Sequence, residues 1–112
     1  MGSKNDNYPL FVQWSKNLDW ILTTCDRLPK AQRFTLANRI AVHSLDIIEL
    51  IAEAIYTKER RPILKQINMK LEKLRILFRI CHSRHYISTR QYAYIAGCIN
   101  ESGKMCGGWM KK

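Results

Sequence analysis

Apolar side chains recur along the chain at steps of three and four residues, with polar positions between them, in four successive segments. That spacing places the apolar residues on one face of an α-helix, whereas a half-buried strand would alternate at every second residue. Pro9 and Pro62 suit first helical turns, where the missing N–H is not needed, and Pro29 ends the first segment. The pattern predicts four helices, which run from about Pro9 to Pro29, Lys30 to Thr57, Pro62 to His85, and from Ser88 onward.

The fourth predicted helix has a start signal and several weak points. Ser88 and Gln91 have the spacing of a capping box, in which each side chain accepts the backbone N–H of the other residue. The alternative to a continuous helix is that Gly107-Gly108 ends the helix, so that Trp109 packs back on the bundle. Glycines within a helix each weaken it by ~1 kcal/mol relative to Ala. We expect them to mark close approach of another helix at Gly97, Gly103 and Gly107.

Helices two and three carry more apolar surface than one buried stripe requires. On helix three, Met69, Ile76 and Ile80 lie nearly opposite the core stripe at about 100° per residue. Helix two has a second stripe beside its main one, and it includes Phe34 and Leu45. A surface helix of a monomer should be polar there, so these faces predict an interface with another copy, unless helix three is buried centrally in the monomer. The core stripe itself is predicted to be Ile63, Ile67, Leu71, Leu74, Phe78 and Cys81.

Short turns between the segments predict an all-α protein, an up-down-up-down four-helix bundle. We expect one domain over residues 9–112, preceded by a flexible segment at residues 1–8, because 112 residues can bury one core without cross-links. No run of 18 apolar residues is present, and Met1–Asn7 lacks the apolar region of a signal peptide. The four cysteines form no C-x-x-C pair and are expected to be free thiols. The sequence therefore predicts a cytoplasmic protein with no membrane contact.

The positive charge is concentrated in one part of the chain. The sequence has 19 Lys and Arg against 9 Asp and Glu, a net charge of +10, and the stretch from Lys58 to Arg90 holds ten of these cations against two carboxylates. Because apolar positions in this stretch keep a helical spacing, the charge belongs to an ordered helix. A rigid positive surface indicates an anionic partner, most commonly nucleic acid. Its contacts would be directed at phosphates and weakened by salt.

The candidate contact residues lie on both flanks of the core stripe of helix three. Arg75 and Arg79 are one turn apart, so their guanidinium groups can hold successive phosphates. The alternative is that the cations form salt bridges with an acidic face of helix two, which carries Asp46, Glu49 and Glu53. The full set predicted to bind nucleic acid is Arg61, Lys65, Lys70, Lys73, Arg75, Arg79 and Arg84.

Catalytic and metal-binding patterns are weak. Cys81 and His85 share a helical face, with His82 beside them, but a zinc site needs about four ligands. The Glu-x-x-His pairs of di-iron bundles are missing from the sequence. No nucleophile motif surrounds these histidines or His43, and there is no glycine-rich phosphate loop. We therefore predict no catalytic residue, no metal and no cofactor; the alternative is an enzyme that uses Cys81 and the histidines.

Several short motifs follow one another along nearly the whole chain. They are Leu10-Phe11-x-x-Trp14, Pro29-Lys30-x-x-Arg33-Phe34-Thr35-Leu36 with Arg39-Ile40, Leu71-Glu72-x-Leu74-Arg75-x-Leu77-x-Arg79, Ser88-x-Arg90-Gln91-Tyr92 and Gly103-Lys104-Met105-x-Gly107-Gly108-Trp109. In order and spacing this run resembles the accessory variability determinant proteins of diversity-generating retroelements. Those proteins are related to the four-helix proteins encoded in intervening sequences of bacterial 23S ribosomal RNA genes.

The resemblance implies a four-helix bundle that assembles into a barrel-like homopentamer and has no catalytic activity of its own. It also implies a reverse transcriptase as partner and a basic surface that contacts RNA or cDNA. The family acts in the mutagenic copying of a template-repeat RNA into cDNA, in which adenines are miscopied. Arg75 and Arg79 match the family's segment on helix three and are the implied nucleic-acid or polymerase contacts. The alternative is a self-assembling interaction protein of the intervening-sequence type, without a polymerase partner.

Overall fold

The structure, a computed structural model, describes residues 4–112 and contains four long helices. Within that range there is no β-strand, so the all-α prediction is confirmed. Nor is any helix in it both long enough and apolar enough to cross a membrane. The α-helices are α1 (Pro9–Asp26), α2 (Leu36–Ile55), α3 (Arg61–Ser83) and α4 (Thr89–Met110), and short 3-10 helices cover Lys4–Asn7 and Lys30–Gln32.

The helices form an antiparallel bundle in which each packs against the next and α4 returns to α1. Tyr8, just before α1, lies against Trp109 near the end of α4, with ring centroids 5.3 Å apart. Arg61, the first residue of α3, donates to the carbonyl oxygen of Met110 at the end of α4. Because α1 and α3 both begin where α4 ends, the bundle runs up, down, up and down, as predicted. It measures 42 × 28 × 23 Å.

The core is built from one apolar stripe on each helix. All six residues predicted to face the core on α3 are buried, which confirms that stripe. Trp14 of α1 and Phe78 of α3 are the largest fully buried side chains. Burial of each large apolar side chain contributes roughly 1.5–3 kcal/mol. These contacts stabilise the helices more than their intrinsic helix propensity does, because isolated helices of this length are marginal in water.

A few polar groups inside the bundle are paired across helices. Asn17 of α1 and Ser102 of α4 are both buried, and the Asn17 amide donates to the Ser102 hydroxyl at 3.3 Å. The Trp14 indole donates to the carbonyl oxygen of Ser44 on α2 at 3.0 Å. The Ser44 hydroxyl in turn donates to the carbonyl oxygen of Ile40 at 2.7 Å. These three buried donors are thereby satisfied, which avoids the cost of an unpaired polar group.

The second helix is shorter than the sequence pattern predicted. A continuous helix from Lys30 to Thr57 was expected, but Lys30–Gln32 form a 3-10 turn and α2 begins only at Leu36. The break lies at Thr35, whose φ of −119° and ψ of −99° are not helical. As a result α2 has 20 residues and is about 30 Å long, not 40 Å. Phe34 therefore lies before the helix and not on its second stripe.

The fourth helix begins as predicted. The Gln91 N–H donates to the Ser88 hydroxyl at 3.0 Å, and the Ser88 N–H donates to the Gln91 side-chain oxygen at 2.7 Å. These two bonds complete the capping box. The helix continues through Gly107 and Gly108 to Met110, so the alternative that the glycines end it is wrong.

The glycines of α4 do not mark a close approach of another helix within the monomer. A Cβ added at Gly97, Gly107 or Gly108 would have no atom of another element within 4 Å, as far as the chain is described. The predicted close approach is therefore wrong for Gly97 and Gly107. At Gly103 the added Cβ would lie 3.6 Å from Nη2 of Arg75, which is ordinary contact with a side chain.

The N-terminal segment packs against one end of the bundle. The first three residues of the segment predicted to be flexible lie outside the described residues. After them, Lys4–Asn7 form a 3-10 turn, and the Lys4 ammonium lies 4.8 Å from the ring centroid of Tyr56. Together with the contact between Tyr8 and Trp109, this interaction places the segment beside the ends of α2 and α4.

Candidate nucleic-acid interface

The helices differ strongly in charge. The helix α3 carries six cations against the single carboxylate of Glu72, whereas α1 has one cation against two carboxylates and α2 has one against three. Because α2 and α3 pack side by side, the bundle has a negative and a positive face next to each other. Six of the seven cations predicted from sequence therefore lie on one ordered helix whose apolar stripe fixes its orientation, and the seventh, Arg84, lies just after it.

Arg75 is held by groups of its own chain. Its Nε donates to Oδ1 of Asn100 on α4 at 3.1 Å, and its Nη1 donates to a carboxylate oxygen of Glu72 at 2.8 Å. Its Nη2 is directed over Gly103 on α4. Two of its donor groups are thus occupied, and the charge is partly neutralised by Glu72. Binding of a phosphate by Arg75 would have to compete with both partners.

Arg79 lies one turn further along α3 and is less constrained. Its side chain makes no hydrogen bond or ion pair with any of residues 4–112. Together with Arg75 it lines a surface groove of about 400 Å³ between α3 and α4, which also contains Tyr92 and Asn100. The structure therefore brings Arg75 and Arg79, which the sequence predicted to lie one turn apart, to one groove, but of the two only Arg79 has all of its donor groups open to a ligand.

On the opposite flank of α3, one predicted contact residue forms an ion pair. The Lys70 ammonium lies 3.1 Å from a carboxylate oxygen of Asp46 on α2, and both side chains are partly exposed. The alternative interpretation, a salt bridge to the acidic face of α2, is correct for this pair. Glu49 and Glu53 on the same helix are exposed, and neither forms an ion pair in the described part of the chain.

His43 lies next to these cations. Burial lowers the pKa of its imidazole, and the nearby ammonium groups of Lys70 and Lys73 lower it further, although the carboxylate of Asp46 acts in the opposite direction. Its Nδ1 is buried and has no hydrogen-bond partner within residues 4–112. The structure therefore favours a neutral His43 beside a positive surface.

The remaining predicted cations differ in their surroundings. Lys65 and Lys73 are exposed on α3, and their side chains make no hydrogen bond or ion pair within the described residues. Arg61 is exposed and makes one long bond of 3.4 Å to a carbonyl oxygen of α4. Arg84 lies just after α3, where its Nε donates to the hydroxyl of Tyr86 at 2.9 Å. The predicted set is therefore spread along α3 and its end, not gathered in one pocket.

An apolar stripe runs along the outer face of α3 between the two cationic flanks. Met69, Ile76 and Ile80 are 57, 43 and 37% exposed, so they lie at the surface as predicted and the alternative of central burial is wrong for them. On α2, Leu45 is 42% exposed, and Val42 beside it is similarly exposed. Three adjacent large apolar side chains on a single helix face form the kind of surface that a partner covers.

Phe34 was predicted to share the interface with Leu45, but it lies apart from that helix face. It is 85% exposed in the turn between the 3-10 helix and α2. The sequence pattern missed this because it assigned Phe34 to a helix that begins only at Leu36. That a second copy of the chain contacts Phe34 stays a prediction.

Three of the thiols, those of Cys25, Cys81 and Cys106, are poor nucleophiles. Burial raises the pKa of Cys25 to about 12 and that of Cys106 to about 11, and it also raises the pKa of Cys81. A cysteine reacts as its thiolate, so thiols with raised pKa values are unreactive near neutral pH. The four cysteines are free, as predicted, although Cys25 and Cys98 are only partly buried.

The Cys81 and histidine cluster has a structural explanation. His85 has a φ of 63° and follows the end of α3; its N–H donates to the carbonyl oxygen of His82, and the next N–H donates to that of Cys81 at 2.8 Å. This pair of bonds is a Schellman motif, which ends a helix. His82 stacks on Tyr92 with ring centroids 4.7 Å apart. Among residues 4–112, no three His, Cys, Asp or Glu side chains are grouped so that they could hold a metal ion.

The structure also contains a larger groove that the sequence pattern did not reveal. It has a volume of about 850 Å³ at the end of the bundle where α1 begins and α4 ends. Its walls include Trp109, and the guanidinium carbon of Arg60 lies 5.0 Å from the centroid of that ring. Segments near both ends of the chain and the connection between α2 and α3 form it together. A local pattern could not have shown this, although the aromatic and cationic residues were visible in the sequence.

Comparison with known proteins gives one result. A family model described as bAvd-like matches residues 11–112, a range that includes α2, α3, α4 and all of α1 except its first two residues. No curated protein and no solved structure matches the chain. A match of this extent agrees with the resemblance drawn from the motifs, and the chain belongs to the bAvd-like family.

Proposed function

We propose that this protein is the non-catalytic accessory subunit of a diversity-generating retroelement. It acts as an oligomeric basic scaffold that binds the reverse transcriptase and holds template RNA or cDNA against it. The observation that carries the proposal is the charge of α3, six cations against one carboxylate on a single ordered helix, in a chain of the bAvd-like family. An accessory role in mutagenic reverse transcription is what that family membership favours.

The contact with nucleic acid is proposed to centre on Arg79. Its guanidinium group has no partner within residues 4–112, it borders a groove, and it can bind a phosphate in two-point fashion. Arg61 precedes it by 18 residues, which is five helical turns, so both arginines occupy the same angular position about 27 Å apart along the axis. A nucleic-acid backbone laid along α3 could meet both of them. Binding of this kind depends on charge and not on base sequence.

The apolar stripe of α3 is proposed to bind a second copy of the chain through the outer face of α2. That face presents Val42 and Leu45 among Glu49 and Glu53, so it is apolar and acidic where the α3 face is apolar and basic. Since the two faces differ, each copy would offer one of them to each neighbour. Such a head-to-tail contact closes into a ring when the rotation fits. The number of five copies follows from the family resemblance.

The two proposed contacts can coexist on α3. Lys65 and Lys73 lie about 40° from the centre of the apolar stripe, so in the ring they face the carboxylates of the neighbouring copy. Arg61 and Arg79 lie about 80° from it, on the side of α4, and remain at the rim. The ring therefore leaves a series of arginines open to phosphate, and it repeats this series once for each copy.

The chemistry of cDNA synthesis is assigned to the polymerase partner. Burial raises the pKa values of the thiols of Cys25, Cys81 and Cys106. The backbone groups of His82 and His85 form a hydrogen bond that helps to end α3, and the His82 ring stacks on Tyr92. The surface of α3 offers cations for binding, and no group on it is placed to activate a nucleophile. A scaffold that positions the template fits these properties best.

The proposal is tested by co-expression with the reverse transcriptase encoded nearest to the gene, followed by nuclease treatment and affinity purification. A complex that survives nuclease is expected, because the partner is a protein. In a parallel assay, Arg79→Ala should reduce RNA binding and cDNA synthesis, whereas Lys16→Ala, which removes an exposed cation from α1, should not. Failure to obtain any complex would favour the intervening-sequence type of interaction protein and contradict the proposal.

The ring is tested by charge reversal at the two faces. The double variant Glu49→Lys with Glu53→Lys should dissociate the oligomer, as measured by sedimentation, because like charges would then face each other. Adding Lys65→Glu and Lys73→Glu to the same chain should restore it. An oligomer that is unaffected by the first pair of changes would exclude this face of α2.

A further inference from the structure

The groove at the end of the bundle combines an apolar floor with a cationic rim. Its volume of about 850 Å³ is large enough for a nucleotide, and its floor includes Leu10, Leu64 and Met105. One wall is the indole ring of Trp109, which also contacts the ring of Tyr8. Planar aromatic and apolar surfaces of this kind bind flat rings well. The floor therefore favours a ligand with an aromatic, uncharged part.

The rim of the groove is positively charged. Of the described residues that line it, Lys58, Arg60, Arg61 and Lys112 carry cationic side chains and Glu59 carries the one acidic side chain. The helix dipoles add little, because two helices begin and two end on this side of the bundle and their partial charges are opposite in sign. The side chains therefore decide the sign of the local potential. The rim favours a ligand that carries negative charge next to its aromatic part.

Arg60 links the floor to the rim. Its guanidinium carbon lies 5.0 Å from the centroid of the Trp109 ring, and its side chain makes no hydrogen bond or ion pair within the described residues. An incoming flat ring can replace the guanidinium on the indole, and the released Arg60 can then bind an anion beside it. In a nucleotide the phosphate is one sugar away from the base, so both interactions can be made by one residue of a nucleic-acid strand.

We propose that this groove binds one unpaired nucleotide of a single-stranded RNA or DNA, with its base against Trp109 and its phosphate at Arg60. The inference rests on the proposed function and adds a site that shares Arg61 with the proposed surface of α3, but whose two central contacts, Trp109 and Arg60, lie apart from Arg79. A duplex hides its bases in the stack, so only a single strand can present one to the groove. A glutamate-rich peptide would satisfy the rim but would leave the aromatic wall without a partner.

The test compares single-stranded and duplex RNA as probes. Dye-labelled oligouridylate, which has little structure, and a duplex RNA of equal total charge are titrated with the protein, and affinity is measured by fluorescence anisotropy. Trp109→Leu should weaken binding of the single strand by about fivefold or more, because a stacking partner is lost. The affinity of the Trp109→Leu variant for the duplex should be unchanged. Trp109→Phe, which retains an aromatic ring, should preserve most of the single-strand affinity.

Two further variants keep the test decisive. Arg60→Gln should also weaken binding of the single strand selectively, whereas Lys16→Gln, with the same change in charge on α1, should not. If Trp109→Leu fails to fold, as judged by circular dichroism, the comparison of Arg60→Gln with Lys16→Gln decides the question. A strand that contains 4-thiouridine should cross-link to the peptide that carries Trp109, and its cross-link should be lost in Arg60→Gln.

The outcomes separate this inference from the function on which it rests. If Arg79→Ala weakens binding of both probes while Trp109→Leu and Arg60→Gln change neither, the proposed function stands and the groove proposal is wrong. Equal losses for single strand and duplex in the groove variants would also overturn it. Occupation of the groove by a glutamate-rich peptide, with no cross-link from RNA, would replace the nucleotide with an acidic polypeptide. A wild-type protein that binds neither probe would remove both proposals.

Discussion

Arg75 donates from Nε to Oδ1 of Asn100 at 3.1 Å and thereby joins α3 to α4. The same side chain donates from Nη1 to Glu72 at 2.8 Å. The sequence motif treats Arg75 and Arg79 alike, but the fold distinguishes them, since only Arg75 has partners among the described residues. We therefore expect Arg75 to contribute mainly to stability and Arg79 mainly to binding.

The hydrogen bond between Arg75 and Asn100 should be measurable as a coupling energy. Asn100→Ala is expected to lower the free energy of unfolding by about 1 kcal/mol, because a bond to a charged group is lost at a partly exposed site. Arg75→Ala should cost a similar amount, since the exposed ion pair to Glu72 adds little. The double variant should cost less than the sum of the two. Urea denaturation checks this, and strict additivity would show that the two side chains do not interact in solution.

The ion pair between Asp46 and Lys70 is expected to restrain RNA binding. Asp46→Asn removes the carboxylate that neutralises Lys70, so the positive surface of α3 gains one cation that is free to bind phosphate. The affinity for RNA should rise by at most about fivefold, which corresponds to the ~1 kcal/mol upper range of an exposed ion pair. The matched control is Asp19→Asn, which makes the same change in charge on α1 and leaves the ion pair of Lys70 intact. An equal rise in both variants would indicate only a general effect of net charge.

His43 should make stability depend on pH. Because its pKa is lowered in the folded protein, the unfolded chain, with an ordinary histidine pKa of 6.5, binds a proton first as the pH falls. Its contribution to stability is therefore fully present above pH 6.5 and is lost as the pH falls toward the lower pKa of the folded state, with a slope of at most about 1.4 kcal/mol per pH unit. Urea denaturation at several pH values should show a flatter profile for His43→Gln than for the wild type. The exposed His85→Gln serves as control, and a wild-type-like slope in His43→Gln would exclude this role.

The end of α3 offers a stabilising substitution. His85 has a φ of 63°, a conformation that costs an L-residue about 1 kcal/mol or more and costs Gly little. His85→Gly is therefore expected to raise the free energy of unfolding by roughly 0.5–1 kcal/mol, less the entropy that Gly adds to the unfolded chain. Ser83→Gly, two residues earlier and within the helix, should lower it by a similar amount. Thermal denaturation distinguishes the two, and destabilisation by His85→Gly would show that the imidazole makes an essential contact.

Features that depend on local spacing were predictable from the sequence. The core stripe of α3 followed from steps of three and four residues, and the capping box at Ser88 followed from the identity of two residues three positions apart. The exposed stripe of Met69, Ile76 and Ile80 came from the same helical geometry. In each case the interacting residues lie within a few turns of one another, so the regular spacing of a helix determines their relation.

Features that depend on contacts between distant segments were not predictable. The apolar positions from Lys30 onward fit a helix, but the backbone departs from it at Thr35, and no proline or glycine at that position signals the break. One partner of Arg75, Asn100, lies 25 residues away on α4, so the spacing on α3 could not show that the Nε of Arg75 is occupied. The groove beside Trp109 joins both ends of the domain with the connection before α3.

The most direct test of the central claim, that α3 binds nucleic-acid phosphates, is the salt dependence of RNA binding. The affinity of wild-type protein for single-stranded RNA is measured over a range of salt concentrations and compared with the double variant Arg61→Gln, Arg79→Gln. The control is Lys16→Gln, Arg27→Gln, which removes two exposed cations from α1 and its end. The account predicts that the slope of log affinity against log salt becomes shallower by about 1.4 in the α3 variant, or ~0.7 for each lost phosphate contact, and stays unchanged in the control. Identical slopes in the two variants would contradict it.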